Sequence, residues 1–171
     1  MDWDNGPMST DLRRSGNERS AQPIADLSSI RSDVLRRFVA YWREIRGVRR
    51  MPTRRDFDPL DARFALGYIS LIEVHRDPMR FYFRLDGTNQ VELFGIDCTR
   101  RYLDEAMPSE HAAMASISYT DVVQHGEPRY HRRQIVFHER LIDWEVVILP
   151  FSNDGERVDR LMTGIVPDQS L

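Results

Sequence analysis

The residues that could do chemistry are numerous but scattered. Five histidines, His75, His111, His125, His131 and His138, occur without HExxH or any comparable metal spacing. Cys98 is the only cysteine, so an internal disulfide and a cysteine metal cage are both excluded. It stands beside Asp97 with no adjacent base, a poor setting for a nucleophile. All 24 basic residues are Arg. Without Lys there is no Schiff-base chemistry, no catalytic lysine and no P-loop lysine. A G-x-S-x-G elbow is absent, and Gly87 and Gly95 do not form a G-x-G-x-x-G loop. A paired-carboxylate hydrolase would need two of Glu139, Asp143, Glu145, Asp154 and Asp159 facing one cleft. Strand alternation instead turns such residues to solvent. His125 closes a helix, where the dipole favours a cation. A role as axial haem ligand is the lesser reading, and the expectation is no haem, no flavin and no metal.

Two patterns point to binding instead. Arg49, Arg50, Arg54 and Arg55 crowd one short segment and form a candidate anion site, since a guanidinium is a fork-shaped donor. Arg129, Arg132 and Arg133 form a second group. The alternative for both is a solvated or salt-bridged surface. Phe81, Phe83, Tyr119, Phe137 and Trp144 are candidates to line a small-molecule pocket, or else simply fill the core.

A net charge of −3 predicts no general attraction to nucleic acid or to membrane. The first residues include Asp2 and Asp4 with no apolar run behind them, which is not the pattern of a signal peptide. The cytoplasm is the expected compartment.

These residues need elements to position them. Residues 1–25 are polar and read as a disordered tail, leaving 26–171 as a single domain. Leu27, Ile30, Val34, Phe38, Trp42 and Ile45 recur at steps of three and four, which predicts a long helix over Asp26–Arg46 stopped by Gly47. Asp58 and Pro59 fit the first positions of a short helix through Leu66. Strands follow over Tyr68–His75 and from Met79, turned by Asp77-Pro78. Ser109 starts a second long helix, Glu110–His125, with an apolar stripe of Ala113, Met114, Ile117, Tyr119 and Val123. Three strands end the chain: Arg129–His138, Leu141–Phe151 and Val158–Val166. Their turns fall at Glu139-Arg140 and Asn153-Asp154-Gly155. The order predicts an α+β fold, one five-stranded antiparallel sheet with helices on one face and a long N-terminal helix.

The central stretch, Met79 to Asp97, carries a resemblance. Phe81, Phe83 and Leu85 alternate with Arg80, Tyr82, Arg84 and Asp86. Gly87 breaks the strand, Thr88 or Asn89 caps a helical turn, and Gly95 closes it. With Tyr41-Trp42, Arg46-Gly47, Pro52, Asp58-Pro59, Phe81–Thr88 and Phe94–Asp97 in this order, the chain resembles the PAS_5-type family of bacterial PAS domain proteins. The likeness runs from about Leu27 to Val166. Where the family reads Thr-Gly-Arg, this chain has Thr99-Arg100-Arg101, losing an easy positive-φ position, so a different connection is expected there.

The resemblance implies a sensory or protein-interaction module rather than an enzyme. With no output domain visible, the signal is expected to pass by association with an unidentified protein partner. Arg84 is expected to be structural or partner-facing. The rival from another class is a small cone-shaped isomerase or hydrolase. A homodimer is expected through the first helix, whose Leu27, Ile30 and Val34 would otherwise project into water.

Overall fold

The computed structural model describes residues 26–137 and 140–168, with backbone only at 135–137 and 140–142. The tail expected over 1–25 lies outside the described residues.

All five expected strands are present: β1 (Ile69–His75), β2 (Arg80–Leu85), and three more after a two-residue strand, β3 (Arg101–Tyr102), that the sequence did not signal. The later three are β4 (Arg129–Phe137), β5 (Arg140–Phe151) and β6 (Arg160–Pro167). They form one antiparallel sheet in the order β3-β2-β1-β6-β5-β4. Phe137 pairs with Arg140, so Arg140 belongs to the strand and not to a turn at Glu139-Arg140. The Asn153-Asp154-Gly155 turn forms, with Asp154 Oδ1 accepting from the amides of Glu156 and Arg157 at 2.9 and 2.8 Å.

The helices are α1 (Asp33–Arg46), α2 (Thr88–Phe94), α3 (Leu103–Ala106) and α4 (Ser109–His125). The first is shorter than its stripe implied. Leu27–Ser29 is a separate 3-10 turn capped by Asp26, and Ser32 caps α1 by accepting from Leu35 N at 3.4 Å. Asp26 and Ser32 both compete for helix backbone, and the chain takes both options in succession. The short helix expected after Asp58 is instead a run of turns ending in a 3-10 segment, Leu66–Tyr68. Asp58 still caps it locally, accepting from Leu60 N at 2.8 Å.

Helices cover both faces of the sheet. α2, α3 and α4 occupy one, as expected, and α1 the other. At Gly164 of β6 a Cβ would stand 2.8 Å from Leu35 and 3.2 Å from Phe38, so glycine lets α1 settle on the sheet. Trp42 donates its indole N–H to Pro150 O at 2.9 Å, and the Tyr41 hydroxyl accepts from Asp58 N at 2.8 Å. The Tyr-Trp pair and Asp58 are therefore scaffold residues. Glu145, buried in β5, accepts from the amides of Arg31 at 3.0 Å and Ser32 at 3.2 Å.

This arrangement corrects the premise of a helix-to-helix dimer. Ile30 is 4% exposed, and Leu27 and Val34 pack against the same core. The stripe faces the protein's own core, with Leu27, Val34 and Ile45 partly buried.

Candidate functional site

Between the sheet and α2–α4 lies a cavity of about 80 Å³. Its floor is sheet: Phe83 of β2, Arg133 of β4, Trp144, Val146 and Ile148 of β5, and Ile165 of β6. Its roof is helix: Gln90 and Phe94 of α2, Leu103 of α3, and His111, Ala115, Ser118 and Tyr119 of α4.

The register of β2 decides what enters. Alternation predicts Leu85 inward and Asp86 outward. The pairing slips between Leu71 and Ile72, so Leu71 faces Leu85 while Ile72 faces Phe83. A slip of one position exchanges the two faces. Leu85 is consequently exposed, and Asp86 lines the cavity.

Asp86 anchors a buried polar chain. Ser70 Oγ lies 2.5 Å from Asp86 Oδ1 and 2.9 Å from Gln90 Oε1. Cys98 N donates to Asp86 Oδ2 at 3.2 Å, and Gln90 Nε2 donates to Tyr68 O at 2.5 Å. The Ser70 hydroxyl has one proton and cannot serve both acceptors. Burial raises the pKa of Asp86, which favours the neutral acid. Protonated, Asp86 would donate to Ser70 and leave the Ser70 proton for Gln90; ionised, it takes the Ser70 proton itself. Gly87 makes this geometry reachable: as N-cap of α2 it abuts Gly67, where a Cβ would meet the Gly67 carbonyl oxygen at 2.4 Å. The cap is thus Gly87 itself and not Thr88 or Asn89. Gly95 closes α2 with φ 68°, as its position implies.

The cavity wall is chemically quiet. Burial and the nearby Asp86 push the Cys98 thiol up to about 12, so it is no nucleophile. Burial also raises the Tyr119 phenol. Burial, with Arg133 and Arg129 nearby, holds His131 down at about 4. Arg133 donates to Ser118 Oγ at 2.5 Å, and burial lowers its pKa. Trp144 packs edge-on to Phe94 with ring centroids 4.5 Å apart.

Of the aromatic residues expected to line a pocket, Phe83, Tyr119 and Trp144 do so. Phe81 is buried behind them against the Tyr119 ring at 5.1 Å. Phe137 ends β4, and its side chain is outside what the structure describes. α4 is rotated from its expected stripe. Ala112, Ser118, Tyr119 and Val122 are buried, whereas Ile117 is 73% exposed and Ala113 faces solvent; Met114, though partly exposed, lines the cavity. Apolar residues occur on every side of this helix, so spacing alone does not select the buried one.

Of the four clustered arginines, Arg54 and Arg55 stay together and line one surface pocket with Arg160, while Arg49 and Arg50 reach other parts of the fold. Arg49 caps α1 through Ile45 O at 2.7 Å and pairs with Asp56 at 2.9 Å. Arg50 donates to His125 O at the end of α4. Arg54 donates to Phe57 O at 3.2 Å, and Arg55 is exposed. Arg84 is exposed and 3.4 Å from Glu73. His125 lies on the surface, its ring bonded to Asp121 O at 2.9 Å. Among the described residues no cluster of His, Cys, Asp and Glu could hold a metal, and no helix is long and apolar enough to cross a membrane.

Residues 30–166 match the PAS_5 family model, described as a PAS domain, and the chain belongs to that family. It is therefore a sensory PAS module. The PAS domain from Bordetella pertussis BvgS is similar in structure, with 16% identity and a TM-score of 0.49 over 60% of this chain and 76% of that one. A sensory box histidine kinase/response regulator from Burkholderia thailandensis is 9% identical, with a TM-score of 0.39 over 64% and 84%. Likenesses this distant carry no argument about ligand or partner. No curated protein matches the chain.

Proposed function

We propose that this module senses a small molecule held between its sheet and α2–α4, in the cytoplasm, and passes the signal by association with another protein. The observation that carries this reading is the cavity of about 80 Å³, walled mainly by Phe83, Phe94, Leu103, Trp144, Val146 and Ile148. An apolar chamber with a few convergent polar groups is the usual form of a small-molecule site. An isomerase or hydrolase finds less support, because Asp86 is occupied by Ser70 and the Cys98 amide.

A thermal-shift screen of small metabolites, run on the wild type beside Ala115→Leu, tests this. Leucine at position 115 places three further carbons in the cavity. Ligands should raise the wild-type melting temperature and lose most of that effect in the variant. Hits that stabilise both proteins equally, or a screen and native mass spectra that reveal no bound compound, would refute the reading.

A further inference from the structure

Arg133 and Trp144 stand directly opposite each other on β4 and β5. Such cross-strand neighbours leave the sheet on the same face with their Cβ atoms about 5 Å apart. Trp144 is 5% exposed, and its indole N–H is buried without a hydrogen-bond partner. Buried donors are nearly always satisfied, so an orphan in a cavity wall marks a place for an acceptor. Arg133 uses one N–H on Ser118 Oγ. A guanidinium has five. Asp86, the sole carboxylate in the wall among the described residues, is committed to Ser70 and the Cys98 amide. The guanidinium brings a positive charge to the cavity wall and forms no ion pair with a carboxylate among the described residues. The planar fork matches a carboxylate bidentately. Beyond these donors the surface is mainly apolar, with Phe83, Phe94, Leu103 and Ile148. The volume, about 80 Å³, is smaller than the roughly 150 Å³ of an engineered cavity that holds benzene.

We propose that the cavity takes a short-chain organic monocarboxylate, its carboxylate on Arg133 and the Trp144 indole N–H and its hydrocarbon body against the apolar wall. This deepens the ligand-sensing reading and rests on it. A phosphate-sized dianion fits poorly, since one guanidinium would leave half its charge uncompensated in an apolar chamber.

Butyrate and 1-butanol, equal in chain length and different in charge, are the probes, titrated into the full chain by calorimetry and by ¹⁵N spectra. Butyrate should bind at least tenfold tighter than 1-butanol and shift the Trp144 Nε1–H resonance, assigned with Trp144→Phe. Arg133→Met keeps the alkyl stem and removes the guanidinium. It should weaken butyrate at least tenfold while leaving 1-butanol unchanged, with the unliganded melting temperature reporting that the variant is folded. Trp144→Phe keeps a ring against Phe94 and should weaken butyrate several-fold by a separate route. Equal or tighter binding of 1-butanol to the wild type overturns the carboxylate assignment while leaving a ligand-sensing cavity intact. Absence of butyrate binding also overturns it, and the metabolite screen above then decides separately whether the broader reading falls too.

Discussion

At the scale of single residues, Arg100 illustrates a conflict between side chain and backbone. Its φ is 62°, in the left-handed region, and its amide donates to Phe83 O at 2.7 Å. The loss of the family's glycine thus leaves the backbone in a positive-φ conformation, and arginine bears the strain. That conformation costs a non-glycine residue roughly 1–2 kcal/mol. Glycine's greater freedom in the unfolded chain returns part of this. Arg100→Gly should stabilise the protein by about 0.5–1 kcal/mol, read as a higher urea midpoint at unchanged slope. A lower midpoint would mean that the guanidinium stem contributes more than the strain costs. Asp86 shows where residue-level reading ends. Its place was legible to within one position, yet a slip in pairing with β1 carried it from the expected outer face to the cavity. The extra residue, Arg84, lies in β2 itself, opposite the single step from Leu71 to Ile72, and regular alternation read along the strand does not reveal such a bulge. Trp144 and Tyr119, by contrast, were legible because large rings in the interior of an α+β domain have few other places to go.

At the scale of elements, α1 is held by a buried apolar face and a few specific polar contacts. Its buried surface was plain from the spacing of Phe38, Trp42 and Ile45, which pack as that stripe requires. Its start and its partner surface were not. Glu145 looks in sequence like any solvent-facing strand carboxylate, and only the fold brings Arg31 and Ser32 to it across 114 and 113 residues. Nothing local signals a bond of that range. Removing the carboxylate leaves two amides without acceptors at the entry to the helix. Glu145→Ala should cost about 3 kcal/mol, and Glu145→Gln, which retains one acceptor oxygen, about half of that. Hydrogen exchange should quicken first in the early turns of α1 while α4 stays protected. Uniform loss of protection across both helices would show that Glu145 supports the whole sheet and not the docking of α1. The rotation of α4 has a different origin: its exposed Ile117 is as apolar as its buried Ala112 and Val122, so burial was decided by the sheet's shape.

At the scale of the whole molecule, β5 is the element that both layers share. Trp144, Val146 and Ile148 face the cavity, and Glu145, Val147 and Leu149 lie between them on the α1 side. A ligand that draws Trp144 toward itself must act on the backbone that carries Glu145. Packed interiors transmit such displacements because they have no slack to absorb them. The available free energy is bounded: a ligand at 100 times its dissociation constant stabilises its preferred state by about 2.7 kcal/mol, and shifts an equilibrium only by its differential affinity. That suffices to change how fully the two amide bonds from Arg31 and Ser32 to Glu145 are made at the entry to α1. With saturating butyrate, the ¹⁵N resonances of Arg31 and Ser32 should move although no ligand atom reaches that face. In Glu145→Gln the same resonances should respond much less, while the cavity residues respond as before. Shifts confined to α2–α4 and the cavity strands would break the link between ligand and outer surface, and the signal would then have to leave through the exposed face of α4.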